Sequence, residues 1–207
     1  MKYVEIHEEI NRKDKLVVSF ASGVELYGGL PRYEFAKSLK DIKSDKVFLS
    51  DTNRLWYVED YKEIVSYLNK LIKNYNKVIF IGSSLGGFAS IFFAIHLNPD
   101  VSISFSPQTT LNLELLDKVK ENRFSKHHSR LVDVDTSPFE LQKLIKRNSK
   151  TKFHIFYPSY NSIDFWYVQR LPKQKNIIKH PQPTDKHNVA GYVNNYIGLP
   201  KIISYYL

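Results

Sequence analysis

The sequence predicts an α/β fold in which a mainly parallel sheet is flanked by helices. Short β-rich runs alternate with longer amphipathic stretches, the signature of strands joined by helical crossovers. A length of 207 residues with 43% hydrophobic and 14% aromatic content is enough for one compact core. The third observation is local. Val78 to Ala94 passes from a short apolar run through Gly82-Ser83-Ser84-Leu85-Gly86 into a small-residue, apolar helical pattern.

In chain order, strands are expected at about Tyr3–Ile6, Leu16–Phe20, Lys46–Leu49, Val78–Ile81, Val101–Phe105, Phe153–Tyr157 and Asn176–Ile178. Between the third and fourth, Ile64, Leu68, Leu71, Ile72 and Tyr75 recur at helical spacing within Glu59–Tyr75. Leu85–Leu97 is apolar throughout and reads as a buried helix. Pro107 to Lys150 is longer and more polar than the other connections, with helices expected near Leu111–Val119 and Phe139–Arg147, and is read as a small lid insertion in a single domain spanning residues 1–207. Asn188–Ile197 reads as a final helix that ends near Gly198 and Pro200.

Zero cysteines exclude disulfides and thiolate chemistry. No run is long enough to span a bilayer, and Met1-Lys2-Tyr3-Val4-Glu5 lacks the pattern of a signal peptide, so a cytoplasmic chain is expected. The formal charge of +9 suits an anionic substrate, but the lysines are dispersed and no nucleic-acid module is recognisable, so no nucleic-acid partner is expected. Lys126-His127-His128-Ser129-Arg130 lacks neighbouring carboxylate or cysteine ligand spacing; it reads as a solvated basic loop rather than a metal site.

Gly-x-Ser-x-Gly between a strand and a helix is the pattern of a nucleophile elbow, a turn so tight that only glycine fits two residues either side of the serine. Ser84 is the candidate nucleophile. The Leu85 amide, at the start of the following helix, is the expected first oxyanion donor. A second donor normally comes from the loop after an early strand, which makes the amide of Ala21 or Ser22 the candidate; a plain small-residue turn is the alternative. A serine needs a base, and the base needs an orienting acid. On a hydrolase-type sheet the order is serine, acid, histidine. Asp164 leaves the end of the Phe153–Tyr157 strand and fits the acid, although it also suits the N-cap of a helix beginning at Phe165. His187, after the last strand and beside the final helix, is preferred as base over its competitor His180. Arg54, Trp56 and Tyr57 follow the third strand and suit stacking on and hydrogen bonding to a sugar; Trp56 and Tyr57 suit the core equally.

Through Gly82-Ser83-Ser84-Leu85-Gly86-Gly87 and the order Ser84, Asp164, His187, the chain resembles the α/β-hydrolase superfamily, over nearly its whole length. Asp51…Trp56-Tyr57, Ser84-Leu85-Gly86-Gly87-Phe88-Ala89 and Phe105-Ser106-Pro107-Gln108 are similar to small hydrolase-like proteins of bacterial surface-polysaccharide biosynthesis, a group that includes capsule O-acetyltransferases. That resemblance implies an acyl-Ser84 intermediate, no permanently bound cofactor, acetyl-CoA as acyl-donor substrate, and a carbohydrate or small acyl-ester substrate such as an anionic polysaccharide. A carboxylesterase or deacetylase, and an inactive glycan-binding or assembly partner, are the alternatives.

Overall fold

The computed structural model describes residues 1–11, 13–23, 33–145 and 149–207. Its strands are β1 (Val4–Glu9), β2 (Lys15–Phe20), β3 (Asp45–Asp51), β4 (Lys77–Ser83), β5 (Val101–Phe105), β6 (Lys152–Pro158) and β7 (Ile177–Gln182). Among the described residues they form one sheet in the order β1-β3-β2-β4-β5-β6-β7. β1 runs antiparallel to β3, and every other pair is parallel. The helices are α1 (Ala36–Leu39), α2 (Tyr61–Ile72), α3 (Leu85–Leu97), α4 (Leu113–Lys118), α5 (Ser125–His128), α6 (Leu141–Leu144), α7 (Ser162–Gln169), α8 (Val189–Tyr196) and α9 (Leu199–Tyr206).

Both faces of the sheet are covered, which is why β4 reads as an apolar run rather than as an alternation, while β5 puts small, buried Ser102 and Ser104 on one face. Within each strand the side chains still divide by parity. Leu16, Val18, Phe20, Val78 and Phe80 pack with Ile64 and Leu68 of α2 and Phe88 and Phe92 of α3. Val17, Ile79 and Ile81 turn the other way, onto Val189 and Val193 of α8 and Leu199 and Ile203 of α9. Because β2, β4, β5, β6 and β7 run parallel, the loops after them converge at one end of the sheet, where ligands of open α/β sheets bind.

Several elements depart from the sequence expectation. The last strand extends past Ile178 to Gln182, through Pro181, which an edge strand tolerates because one side makes no ladder hydrogen bonds. His180 therefore lies within the sheet rather than in a loop. α9 was not expected; Pro200 sits in its first turn, where a missing N–H costs nothing. The helix expected at Phe139–Arg147 is a 3-10 turn, Ser137–Phe139, followed by the single turn α6, and residues 146 and 147 lie outside the description. Glu140 separates the two pieces with an extended backbone, because its buried carboxylate is drawn to Thr110 Oγ1 and, at 3.1 Å, to Arg170 Nη2. The 107–150 segment also contributes Leu111, Leu131, Phe139, Leu141 and Ile145 to the core.

α9 closes on β6 through the Tyr206 hydroxyl, 3.0 Å from His154 Nδ1, which is also 3.0 Å from His180 Nε2. Burial, with smaller contributions from His180 and Lys152, pushes the His154 pKa down to about 4 from an ordinary 6.5. The unfolded chain therefore takes up a proton on this residue before the folded one does. Stability is expected to fall as pH drops from about 6.5 towards about 4. Melting curves near pH 7 and about pH 4.5 should show this decline, and a smaller decline in His154→Leu. Equal declines would contradict the assignment.

Candidate active site

β4 and α3 meet at Ser84, whose φ of 53° and ψ of −117° put a non-glycine residue in a sparsely populated region. The glycines explain how the turn closes. A Cβ on Gly82 would lie 1.9 Å from the Gly86 carbonyl oxygen, and one on Gly86 would lie 2.1 Å from that of Phe20. In both cases the obstacle is backbone, which cannot rotate aside. Gly86→Ala is thus expected to cost about 3 kcal/mol and lower the melting temperature by roughly 6–12 °C. Gly23→Ala, whose Cβ would meet only Leu85 side-chain atoms at 3.5 Å or more, should melt like wild type. A Gly86→Ala protein as stable as wild type would contradict this packing.

The three residues expected to act together are brought together. His187 Nε2 lies 2.9 Å from Ser84 Oγ, and His187 Nδ1 lies 2.9 and 3.0 Å from the two Asp164 oxygens. With the Nδ1 proton directed at the carboxylate, the Nε2 lone pair faces the serine hydroxyl. Asp164 is almost wholly buried in the first turn of α7. It does not cap that helix: Asn161 does, accepting the Asp164 amide at 3.1 Å, which leaves the Asp164 carboxylate free for His187. Ser106 Oγ donates to the His187 carbonyl at 2.7 Å and fixes the loop that carries the imidazole. His180 is held elsewhere, stacked on Phe156 at 4.4 Å and bonded to His154.

Three participants were given no role by sequence reasoning, although Gln108 lies in a segment that carries the resemblance. Gln108 Nε2 donates to Ser84 Oγ at 3.0 Å, and its Oε1 accepts from Trp56 Nε1 at 3.2 Å. Arg123 Nη1 donates to Asp164 Oδ1 at 2.9 Å and lies 3.3 Å from His187 Nδ1, beside the histidine's own contact with the carboxylate. Its Nε and Nη2 are held by Glu121, fully buried at its side chain. Burial opposes the guanidinium charge, but its hydrogen bonds to Glu121 and the nearby Asp164 charge outweigh it and raise the Arg123 pKa, so the guanidinium stays charged. A polar line thus runs from Trp56 through Gln108, Ser84, His187 and Asp164 to Arg123 and Glu121. Gln108, Arg123 and Glu121 all come from the 107–150 segment, whose polar character had no periodicity to mark them.

Other expectations are corrected. The Ala21 amide donates to the Leu49 carbonyl at 2.9 Å, so it is not an oxyanion donor. The Ser22 amide lies at the pocket wall and holds the Glu34 carboxylate, Oε2 at 3.1 Å, which the Ser22 hydroxyl also contacts at 2.9 Å. Tyr57 is core rather than a sugar contact: its ring is buried and its hydroxyl lies 2.8 Å from the Leu49 carbonyl and 3.1 Å from that of Ala21. Trp56 lines the pocket but is buried, stacked on His128 at 5.3 Å. That stack corrects the reading of residues 126–130 as a solvated loop for the histidines alone: His128 is buried and His127 lines the pocket, while Lys126, Ser129 and Arg130 are exposed as expected. Arg54, Trp56 and Tyr57 all have positive φ, in a loop held by Asp51, whose carboxylate accepts the amides of Asn53, Arg54, Leu55 and Tyr57. Burial raises the Asp51 pKa despite those four donors.

The pocket around Ser84 has a volume of about 230 Å³ and is walled by Ser22, Leu85, Trp56, Phe124, His127 and His187. A shallower cleft of about 460 Å³ adjoins it, sharing Gly23, Phe124 and His127 and adding Arg54, Arg123 and Lys126. The first space fits a short acyl group, and the second brings three cations to its mouth.

No protein-family model matches the chain, and no curated protein matches it by sequence. Solved structures do. The capsule O-acetyltransferase of Neisseria meningitidis serogroup A is 14% identical with a TM-score of 0.72, the match covering 99% of this chain and 92% of that one. A mutant of the same enzyme has been solved in complex with CoA, 13% identical with a TM-score of 0.69 over 99% and 92% of the two chains. The glycosylation-associated Gap123 complex of Streptococcus agalactiae is 18% identical with a TM-score of 0.66; 94% of this chain aligns, spanning 45% of that chain. Carboxyl esterase 2 of the fungus Tuber melanosporum is 15% identical with a TM-score of 0.61, over 98% of this chain and 78% of the esterase. At these identities the shared property is architecture, and with the sheet order and the strand-to-helix elbow at Ser84 it follows that this chain has the α/β-hydrolase fold.

Proposed function

We propose that the protein is a serine-dependent O-acetyltransferase acting on a bacterial polysaccharide, with Ser84 as nucleophile, His187 as general base and acid, and Asp164 fixing the histidine tautomer. The observation that carries this reading is the continuous contact Ser84 Oγ, His187 Nε2, His187 Nδ1, Asp164 at the mouth of a small pocket. Ser84 Oγ attacks the carbonyl carbon of a thioester such as acetyl-CoA while its proton passes to His187 Nε2. The negative oxygen that forms is met by the Leu85 amide at the start of α3. The Ser22 amide, which already binds one carboxylate oxygen, serves as second donor when Glu34 is displaced from it. Collapse breaks the C–S bond, and the leaving thiolate takes the proton from His187. A sugar hydroxyl then gives its proton to His187 and attacks the acyl-serine, and the ester passes to the sugar as Ser84 is re-protonated.

Three features favour a short acyl group and an anionic glycan over other esters. The pocket is small, the adjoining cleft is lined by Arg54 and Lys126 beside the acid-paired Arg123, and the chain carries a net charge of +9. The likeness to a capsule O-acetyltransferase over nearly the full length of both chains supports the same reading. The experiment measures consumption of acetyl-CoA and of p-nitrophenyl acetate, with and without an acidic bacterial polysaccharide, by wild type and Ser84→Ala. CoA release that requires the polysaccharide and Ser84 is the expected result. Acceptor-independent ester cleavage would instead assign a carboxylesterase or deacetylase. Inactivity in every condition would favour a glycan-binding or assembly partner.

A further inference from the structure

The end of the sheet opposite Ser84 carries a second, larger concavity. A groove of about 1120 Å³ runs across the starts of β4, β5 and β6, with Lys77, Lys150, Lys152 and Lys175 on its walls. Asp100 is the only acidic residue among those described that line it, and it is already engaged, accepting the Val78 amide at 2.7 Å and pairing with Lys77 at 3.7 Å. Lys150, Lys152 and Lys175 are exposed and make no ion pair among the described residues. The floor is apolar, from Val78, Pro99, Val101 and Ile178, and Tyr205 stands at the edge with 81% of its surface exposed.

His154 also lines the groove, although only 4% of its surface is exposed. Its Nδ1 is engaged by Tyr206 and His180, and its buried Nε2 has no partner among the described residues. Buried polar nitrogens are seldom left unmatched, and one in a ring that borders a groove marks a place for a ligand oxygen. Where Nδ1 accepts the Tyr206 hydroxyl proton, Nε2 carries the ring proton and is a donor.

We propose that this groove binds a segment of a sparsely charged anionic glycan, carboxylated or phosphorylated, at a site separate from the acyl pocket. Several lysines with one engaged acid give a local positive field that attracts a polyanion. Tyrosine faces, an apolar floor and a buried imidazole donor suit sugar C–H faces and hydroxyls. A nucleic acid fits less well: the groove lacks guanidinium forks among its described lining residues, and its charges are too few for a phosphate at every step. Ser84 follows the last residue of β4 while Lys77 is its first, which separates groove from pocket by about 20 Å. A polymer held in the groove would keep its neighbouring sugars near the acyl pocket, raising their effective concentration there. This use of the groove rests on the polysaccharide reading of the acceptor; the binding itself does not require Ser84.

The test measures binding of hyaluronan oligosaccharides, in which only every second sugar carries a carboxylate, with neutral dextran and poly(U) RNA as comparisons, by isothermal titration calorimetry at low salt. The proteins are wild type, Ser84→Ala, the groove triple Lys150→Glu/Lys152→Glu/Lys175→Glu, and a charge-matched control, Lys37→Glu/Lys40→Glu/Lys70→Glu. The groove triple is expected to bind hyaluronan oligosaccharides at least about tenfold more weakly than wild type, and the control within about twofold. Ser84→Ala should bind like wild type, and the groove triple should keep its p-nitrophenyl acetate turnover, which also reports that it is folded. Equal weakening in both triples, equal binding of dextran, tighter binding of poly(U), or no binding by wild type would each overturn the proposal. Loss of turnover in Ser84→Ala bears only on the acyl chemistry, so the two readings fail separately.

Discussion

Ser84→Ala is expected to lower kcat for ester cleavage by about four to six orders of magnitude while leaving the fold intact. The size follows from the role: without Oγ no acyl-enzyme forms, and what remains is the pocket's ability to hold an ester near water. The fold should survive because alanine faces the same positive φ that serine already adopts at this position. Among the described residues two hydrogen bonds are lost, to His187 and from Gln108, and their partners lie at a pocket where water can replace the hydroxyl. The stability change should stay within about 1 kcal/mol. Steady-state turnover of p-nitrophenyl acetate and a thermal melt measure both halves. A variant that keeps more than about a hundredth of wild-type turnover would mean that the chemistry does not pass through Ser84.

Asp164→Asn is expected to lower kcat by about 10⁴-fold, because it leaves the geometry in place and reverses the proton. The aspartate accepts from His187 Nδ1 and so leaves Nε2 unprotonated towards Ser84. An asparagine there has one acceptor oxygen, for which Arg123 competes directly. Arg123 takes that oxygen, being anchored on its other side by buried Glu121, and the amide NH2 then faces Nδ1 as a donor. The imidazole responds by carrying its proton on Nε2, where it can no longer take one from serine. The α7 cap belongs to Asn161 and is untouched, so circular dichroism should be unchanged while turnover collapses. Activity within about tenfold of wild type would contradict the orienting role.

The parts of this site that were legible in the sequence are those where one residue type is enforced by close contact or by chain order. Gly82 and Gly86 are visible because nothing larger fits against the Gly86 and Phe20 carbonyls. The strands β2 and β4 are visible because burial on both faces demands apolar runs such as Leu16-Val17-Val18 and Val78-Ile79-Phe80-Ile81, and β5 because Val101, Ile103 and Phe105 alternate with small serines. Asp164 and His187 follow from where each loop leaves the sheet. Gln108, Glu121 and Arg123 were illegible for the opposite reason. They reach the site from a long polar connection, where neither spacing nor hydropathy says which side chain turns inward. Local appearance also misled at Tyr57 and Ala21. A tyrosine beside a tryptophan after a strand suggests a sugar platform, yet the Tyr57 hydroxyl spans the Leu49 and Ala21 carbonyls inside the core. An amide at a strand end suggests an oxyanion donor, yet the Ala21 amide completes the ladder to β3.

The most direct measurement of the central claim is covalent labelling with a fluorophosphonate, followed by peptide mass spectrometry to locate the adduct. Such a probe reacts with a serine hydroxyl only where a base removes its proton and donors stabilise the developing charge. Stoichiometric modification of the peptide containing Ser84 in wild type, abolished in Ser84→Ala and strongly slowed in Asp164→Asn, is the result predicted. Unlabelled wild type, or labelling that persists in Ser84→Ala on another residue, would contradict the assignment of Ser84 as an activated nucleophile.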